Sequence, residues 1–406
     1  MHRWRLIAVV LLVTFCAAFA GLASESWIRW YEHEDEIQIG TLLEMGGEYW
    51  LVGTNIVSMD PPDAGIVVFR VGPDGRLIGT RSYDWGGVQS AADALVIPDG
   101  NVLFAGMTDQ YGAVDGDFYV LQADASGQTL AEWVFGESLR ESATRILMGS
   151  QGDVFIIGNQ MNPEDVIADP GTPGYGGMEG RSAPYAVRMQ PGGSPVWKEH
   201  YRSESNVIVF DAVPSRSGGC FVLSTVYGFP NDDDAIRLDR LDEDGTIMWS
   251  RTFGEGNSKG YALAHLSPGR LLIAGAQEDE ASGNLRGLLI LVEEFGREVW
   301  SRTYGDADLI TTLHAVVETK DGLIVAAGSQ LEDYGQYRDD VYLVCVGADG
   351  ERQWEHVIPT GKHVTIEALH ERSDGGLLIA GSGAIAGERF QAMLMFIDPA
   401  EVGREE

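Results

Sequence analysis

Cysteine is nearly absent: three residues in a chain of 406. Cys16 lies in an N-terminal apolar run. Cys220 and Cys345 sit in the apolar stretches Cys220–Leu223 and Val341–Cys345, and read as buried free thiols rather than a disulfide. The fold must therefore rest on its core and not on crosslinks, although an exported protein could carry them. Basic residues are also scarce, with 28 Lys and Arg against 61 Asp and Glu, a net charge of −33. Charge of that sign disfavours nucleic acid and anionic membrane surfaces and suits basic partners or cations. Reaction signatures are missing. There is no His-Glu-x-x-His, no Gly-x-Ser-x-Gly, no phosphate-binding loop and no Cys-x-x-Cys. The eight histidines are scattered. No Asp-x-Asp-x-Asp-Gly run offers a Ca²⁺ loop. The sequence thus assigns no catalytic residue, no metal ligand and no cofactor. A long amphipathic helical pattern is lacking too.

Glycine is abundant, at 52 residues, while the apolar fraction stays at 44%. Together these values point to many tight turns around a real core rather than to disorder. The glycines are periodic. One series is Gly47, Gly100, Gly152, Gly219, Gly269, Gly322 and Gly375. Six residues on stand Gly53, Gly106, Gly158, Thr225, Gly275, Gly328 and Gly381. A third series is Gly75, Gly127, Gly193, Gly245, Gly296, Gly350 and Gly403. All three advance by 50 to 54 residues, except for one long step each: 67 into the fourth copy in the first two series and 66 into the third copy in the last. Seven copies of one unit follow.

The fifth copy shows the unit. Tyr261–Leu266 reads as strand a, Pro268-Gly269 as a turn, Arg270–Ala274 as strand b, Gly287–Val292 as strand c and Glu298–Tyr304 as strand d. Asp-Gly pairs at the equivalent turns are strong hairpin signals. Four-stranded antiparallel units repeated radially predict an all-β, seven-bladed β-propeller. Separate domains of about 50 residues without disulfides would be marginal. Strand d carries Trp-x-x-x-aromatic, as in Trp249/Phe253 and Trp300/Tyr304. The seventh copy has no strand d, and the orphan Trp27-Ile28-Arg29-Trp30-Tyr31 has the same spacing. This N-terminal strand is therefore predicted to complete the last blade, which removes an open sheet edge.

Arg3 and Arg5, the apolar run Leu6–Ala20 and the small residues Ala18-Phe19-Ala20 or Gly21-Leu22-Ala23 read as a cleaved signal peptide over 1–23. The run is short for a membrane span, and Cys16 follows Phe15, a poor context for lipidation. Residues 24–406 then form a single propeller domain, secreted or periplasmic, expected as a monomer with no integral membrane span. Cleavage removes two arginines and no acid, making the mature chain still more acidic.

The motifs Trp249–Gly254, Trp300–Gly305, Asp321–Ser329 and Asp374–Ser382 resemble a family of secreted bacterial and archaeal β-propeller-repeat proteins. The resemblance covers nearly the whole mature chain. It implies a propeller at the cell envelope or outside the cell, and it implies no reaction. Gly193/Trp197, Gly245/Trp249, Gly296/Trp300 and Gly350/Trp354 are more loosely similar to quinoprotein propeller repeats. An adjacent cysteine pair and an eighth repeat are missing, and tryptophan packing between blades explains the spacing.

The a–b and c–d turns are short and uniform, so variation concentrates in the d–a and b–c loops of the opposite, top face, where function is expected. The third copy has 41 residues between its first and third glycines against 26 to 28 elsewhere. The surplus is the b–c segment from Met161 to Arg181, which includes Tyr175. Strand a presents small residues at one register: Gly40, Ala212, Ala262, Ala315 and Ala368. Asp93 and Arg145 depart from it and are expected to form an ion pair near the channel. Ligand-binding candidates are Asp93, Arg145, Asp117, Tyr175 and Asp340. The sequence reading is a non-catalytic binding or scaffold module that takes a protein, peptide or glycan at its acidic top face and no nucleic acid. The alternative is a polysaccharide-acting glycoside hydrolase using top-face carboxylates.

Overall fold

The computed structural model describes residues 25–110, 116–136, 139–162, 181–228, 233–332, 338–399 and 401. Among these residues twenty-eight strands form seven antiparallel four-stranded sheets. The innermost strands are Glu36–Met45, Asp93–Val96, Arg140–Met148, Asn206–Pro214, Ser258–Leu266, Ile310–Glu318 and His363–Glu371, for blades 1 to 7. Each touches the next, and blade 7 touches blade 1, so the ring is closed. The last sheet runs Trp27–Tyr31, Gln391–Ile397, Leu377–Ala384, His363–Glu371 from outside to inside. Trp27 pairs with Phe396 and Tyr31 with Ala392. The N-terminal strand is therefore strand d of blade 7.

The core lies between blades. Seven apolar clusters form, each joining one adjacent pair of blades. The aromatic residue ending strand d has a bonding role as well as a packing one. Tyr31, Tyr83, Tyr201 and Tyr304 donate their hydroxyls to the carbonyls of Gly75, Gly127, Gly245 and Gly350 at 2.7 to 2.9 Å. Each acceptor is the c–d turn glycine of the next blade. That glycine has positive φ, and a Cβ on Gly75 or Gly245 would meet Trp27 or Trp197 of the preceding blade. The tryptophans are thus packing residues between blades. Cys220 and Cys345 are buried and free, and burial raises both thiols, to about 12 and about 11.

Strand a bulges at one fixed place. The register skips a residue at Ile39/Thr41, Ala143/Arg145, Val209/Asp211, Gly260/Ala262, Leu313/Ala315 and Ile366/Ala368. In blade 2, Ala92 donates to the carbonyl of Ala105, the residue that Asp93 pairs with, so the same feature begins that strand. A bulge puts two successive residues on one face and pushes the backbone toward strand b. This explains the second glycine series. A Cβ on Gly53, Gly106, Gly158, Gly275, Gly328 or Gly381 would stand 1.8 to 2.1 Å from a carbonyl oxygen of strand a or, in blade 2, of Ser90 just before it. Gly328 is tightest, at 1.8 Å from the Thr312 oxygen. Gly328→Ala is expected to cost about 3 kcal/mol, read as a lower midpoint in guanidinium unfolding. An unchanged midpoint would contradict the close-approach account.

Blade 4 corrects the sequence register. Its turn glycine is Gly218, whose N–H bonds Ser215 at 3.1 Å as Gly322 bonds Thr319 at 2.8 Å. Six residues on stands Ser224, paired with Val209, and not Thr225. The Thr225 hydroxyl instead accepts the N–H of Gly260 in the next blade at 3.1 Å, as Thr54 accepts that of Ala91 and Ser382 that of Ile39. Two successive positive-φ glycines, Gly218 and Gly219, obscured the alignment. The channel register is therefore Thr41, Asp93, Arg145, Asp211, Ala262, Ala315 and Ala368. Gly40 and Ala212 belong to neighbouring registers.

Candidate functional site

A cavity of about 740 Å³ occupies the channel at the end carrying the d–a and b–c loops. Its wall includes the bulge residue of every blade: Gly40, Ala92, Thr144, Phe210, Tyr261, His314 and Glu367. The lining is lopsided. At the bulge position blades 1 to 3 contribute small side chains, with Arg145 of blade 3 beside them. Blades 4 to 6 contribute three rings, and blade 7 a carboxyl. Tyr261 and His314 stack at 4.4 Å with 12° between planes, and Phe210 meets Tyr261 edge-on at 5.3 Å. Nε2 of His314 lies 3.0 Å from Thr312 Oγ1, and burial lowers its pKa to about 4, so the ring is neutral near pH 7.

The charged groups form an arc in successive blades. Arg145 of blade 3 donates from Nε to Asp211 Oδ1 of blade 4 at 2.6 Å and from Nη1 to the Thr144 carbonyl. Asp93 of blade 2 accepts the Ile146 N–H of blade 3 at 3.0 Å, and Asp211 accepts the Leu263 N–H of blade 5 at 2.7 Å. Arg145 was expected to pair with Asp93. Its direct partner is Asp211, because Asp93 turns to the backbone of the next blade. Asp93 still acts on Arg145 through its charge. Burial opposes the guanidinium charge, but Asp211 and Asp93 more than offset it and raise its pKa. Burial raises Asp93, with Arg145 opposing.

Glu367 faces the cavity, and its side chain is solvent-accessible there although the channel wall surrounds it. Burial raises its pKa to about 7, partly offset by Arg145 and by a hydrogen bond with Thr365. On the same wall Asp339 Oδ2 lies 2.7 Å from His363 Nδ1, and that hydrogen bond raises the histidine despite its partial burial. Asp339 is only 4% exposed, and its Oδ1 has no hydrogen-bond partner. Among the described residues no three His, Cys, Asp or Glu side chains converge as a metal site, and no helix is long and apolar enough to cross a membrane.

Of the five sequence candidates, Arg145 lines the cavity and Asp93 is buried beside it in the arc. Asp117 and Asp340 begin the c strands of blades 2 and 6 and are not among the cavity residues. Asp117 interacts with Glu141 and Lys198, and burial raises it. Tyr175 lies outside the described residues, as do 163–180 of the insertion. Met161 and Asn162 end one strand and Arg181 begins the next. The sequence reading missed Phe210, Tyr261, His314, Glu367, Asp211 and Asp339. An alignment of the residues just before the small-residue register would have found the first four.

The geometry defines a seven-bladed β-propeller with a channel pocket lined by all seven blades. No family model and no curated protein matches the chain. Among solved structures it is similar to puromycin hydrolase, at 15% identity and a TM-score of 0.55, over 92% of this chain and 55% of that one. The match extends over little more than half of the hydrolase and concerns the fold. The β-propeller domain of the Trilobed protease from Pyrococcus furiosus matches at 11% identity and a TM-score of 0.48, covering 91% and 95% of the two chains. A protein of unknown function from Bacteroides caccae matches at 17% and 0.41, covering 68% and 84%.

Proposed function

We propose that the protein is an exported binding module that admits part of its ligand into the channel through the top face. The observation that carries this reading is the lopsided ring of bulge residues, which pairs open space with an aromatic and carboxyl wall. A concave site with a few convergent polar groups is the usual form of a small-ligand pocket. A glycan terminus or a peptide side chain fits the volume. A glycan and peptide array probed with the chain lacking residues 1–23 tests it. Tyr261→Ala is expected to weaken array binding about tenfold or more, with a melting temperature near that of the parent. Equal binding by the variant would place the ligand elsewhere.

One observation favours a second reading, glycoside hydrolysis. A channel carboxyl with a pKa raised to about 7, as at Glu367, suits a general acid. Release of sugar from a bound glycan, abolished in Glu367→Gln, would select this reading over binding alone.

A further inference from the structure

We infer that the channel pocket takes a protonated primary amine, held by the Glu367 carboxylate beside Phe210 and Tyr261. This rests on the pocket being the ligand site. The first argument is the state of the charges around the cavity. Arg145 is engaged by Asp211 at 2.6 Å and His363 by Asp339 at 2.7 Å. Glu367 has no ion-pair partner among the described residues, although it faces the cavity. The uncommitted charge of the pocket is therefore a carboxyl. A second, independent observation is the buried Oδ1 of Asp339, an acceptor on the same wall with no donor. A buried acceptor left unpaired is costly, and an ammonium brings three donors.

Other ligand classes fit less well. An anion would meet the carboxyls of Glu367 and Asp339, and the Arg145 guanidinium on the wall is already bound to a carboxylate. A neutral polyol could satisfy the acceptors but makes no use of the uncompensated charge. A cation gains from that charge, from the neighbouring rings and from the field of a chain with net charge −33. Among the described residues Arg145 is the cation that acts on Glu367, and its link to Asp211 holds it to the side of blade 4.

The test is calorimetric titration of the chain lacking residues 1–23 with n-butylamine, acetyl-lysine methylamide, butyrate and glucose. The amines are expected to bind and butyrate is not. Amine binding is expected to fall about tenfold or more in Glu367→Gln and to recover partly in Glu367→Asp. It is also expected to strengthen about tenfold from about pH 6 to about pH 8, as Glu367 ionises while the amines stay protonated. Around Glu367, His314 stays neutral and Arg145 charged over that range. His363, which its bond to Asp339 raises, also lines the cavity, so the difference between the parent and Glu367→Gln profiles isolates the carboxyl. Stronger binding of butylamine points to a free small amine, and stronger binding of the lysine derivative points to a peptide side chain. Glucose binding that survives Glu367→Gln but is lost in Tyr261→Ala would overturn the amine and keep the pocket. Failure of every probe, with array ligands indifferent to Tyr261→Ala, would overturn both.

Discussion

Replacing Arg145 with Met is expected to lower the unfolding free energy by about 3 to 5 kcal/mol. The guanidinium stands between two buried carboxylates from the flanking blades. Asp211 is 7% exposed and Asp93 is 9% exposed. Neither can turn to solvent, because each also accepts a backbone N–H of the following blade. Removing the cation therefore leaves two enclosed acids with only amide donors. Methionine keeps most of the volume, so the loss reports charge rather than a cavity. The triple variant with Asp93→Asn and Asp211→Asn is expected to recover much of the loss, since an amide oxygen can still accept from Ile146 and Leu263.

The pH dependence of the Arg145 variant has a definite sign. Burial already raises Asp93, and Arg145 is the largest influence that lowers it. Without Arg145, Asp93 binds its proton more tightly in the folded state than in the unfolded chain. Stability of such a group is present at low pH and is lost as pH rises through the folded value. The deficit of Arg145→Met against the parent is therefore expected to shrink as pH falls from about 7 toward about 5. Urea unfolding at several pH values reads this directly. A deficit independent of pH would mean that packing, and not the charge arc, explains the loss.

The parts that were legible in the sequence follow from periodicity. Asp-Gly turns and three concordant glycine series specify strands, blades and ring closure, because each turn requires its residue type locally. The channel wall was hidden for a different reason. Simple alternation assigns Phe210, Tyr261, His314 and Glu367 to the face opposite Asp211, Ala262, Ala315 and Ala368. The bulge puts both sets on the channel side. The glycines at Gly53, Gly275 and Gly328 carried that signal, since they are needed by close backbone approach and not by positive φ. Asp211 was lost to the extra turn glycine of blade 4. Asp339 comes from a b–c loop, whose path no repeat rule dictates.

Deleting Ser26–Tyr31 is expected to have the largest effect of all, about 5 kcal/mol or more and loss of a single cooperative transition. The deletion removes strand d of blade 7 and with it five backbone pairings to Gln391–Ile397. Trp27 is stacked on Phe396 at 5.8 Å, and the Trp30 ring lies against Gly383. Tyr31 also reaches past its own sheet to the Gly75 carbonyl of blade 1 at 2.9 Å. One short strand thus closes the last sheet, covers two apolar interfaces and bonds the first blade to the seventh. Without it Gln391–Ile397 becomes an exposed, apolar edge, a template for association. Tyr31→Phe alone removes only the hydroxyl bond and is expected to cost about 1 kcal/mol. A circular permutant decides whether the strand matters through its pairing or through its position at the chain start. Moving Ser26–Tyr31 to follow Gly403 recreates the strand order c, turn, d used by the other six blades, and opens the chain between Tyr31 and Glu32. The permutant is expected to unfold in one transition near the parent midpoint and to scatter light as the parent does, while the deletion associates. A permutant as unstable as the deletion would show that the ring is not held by this strand.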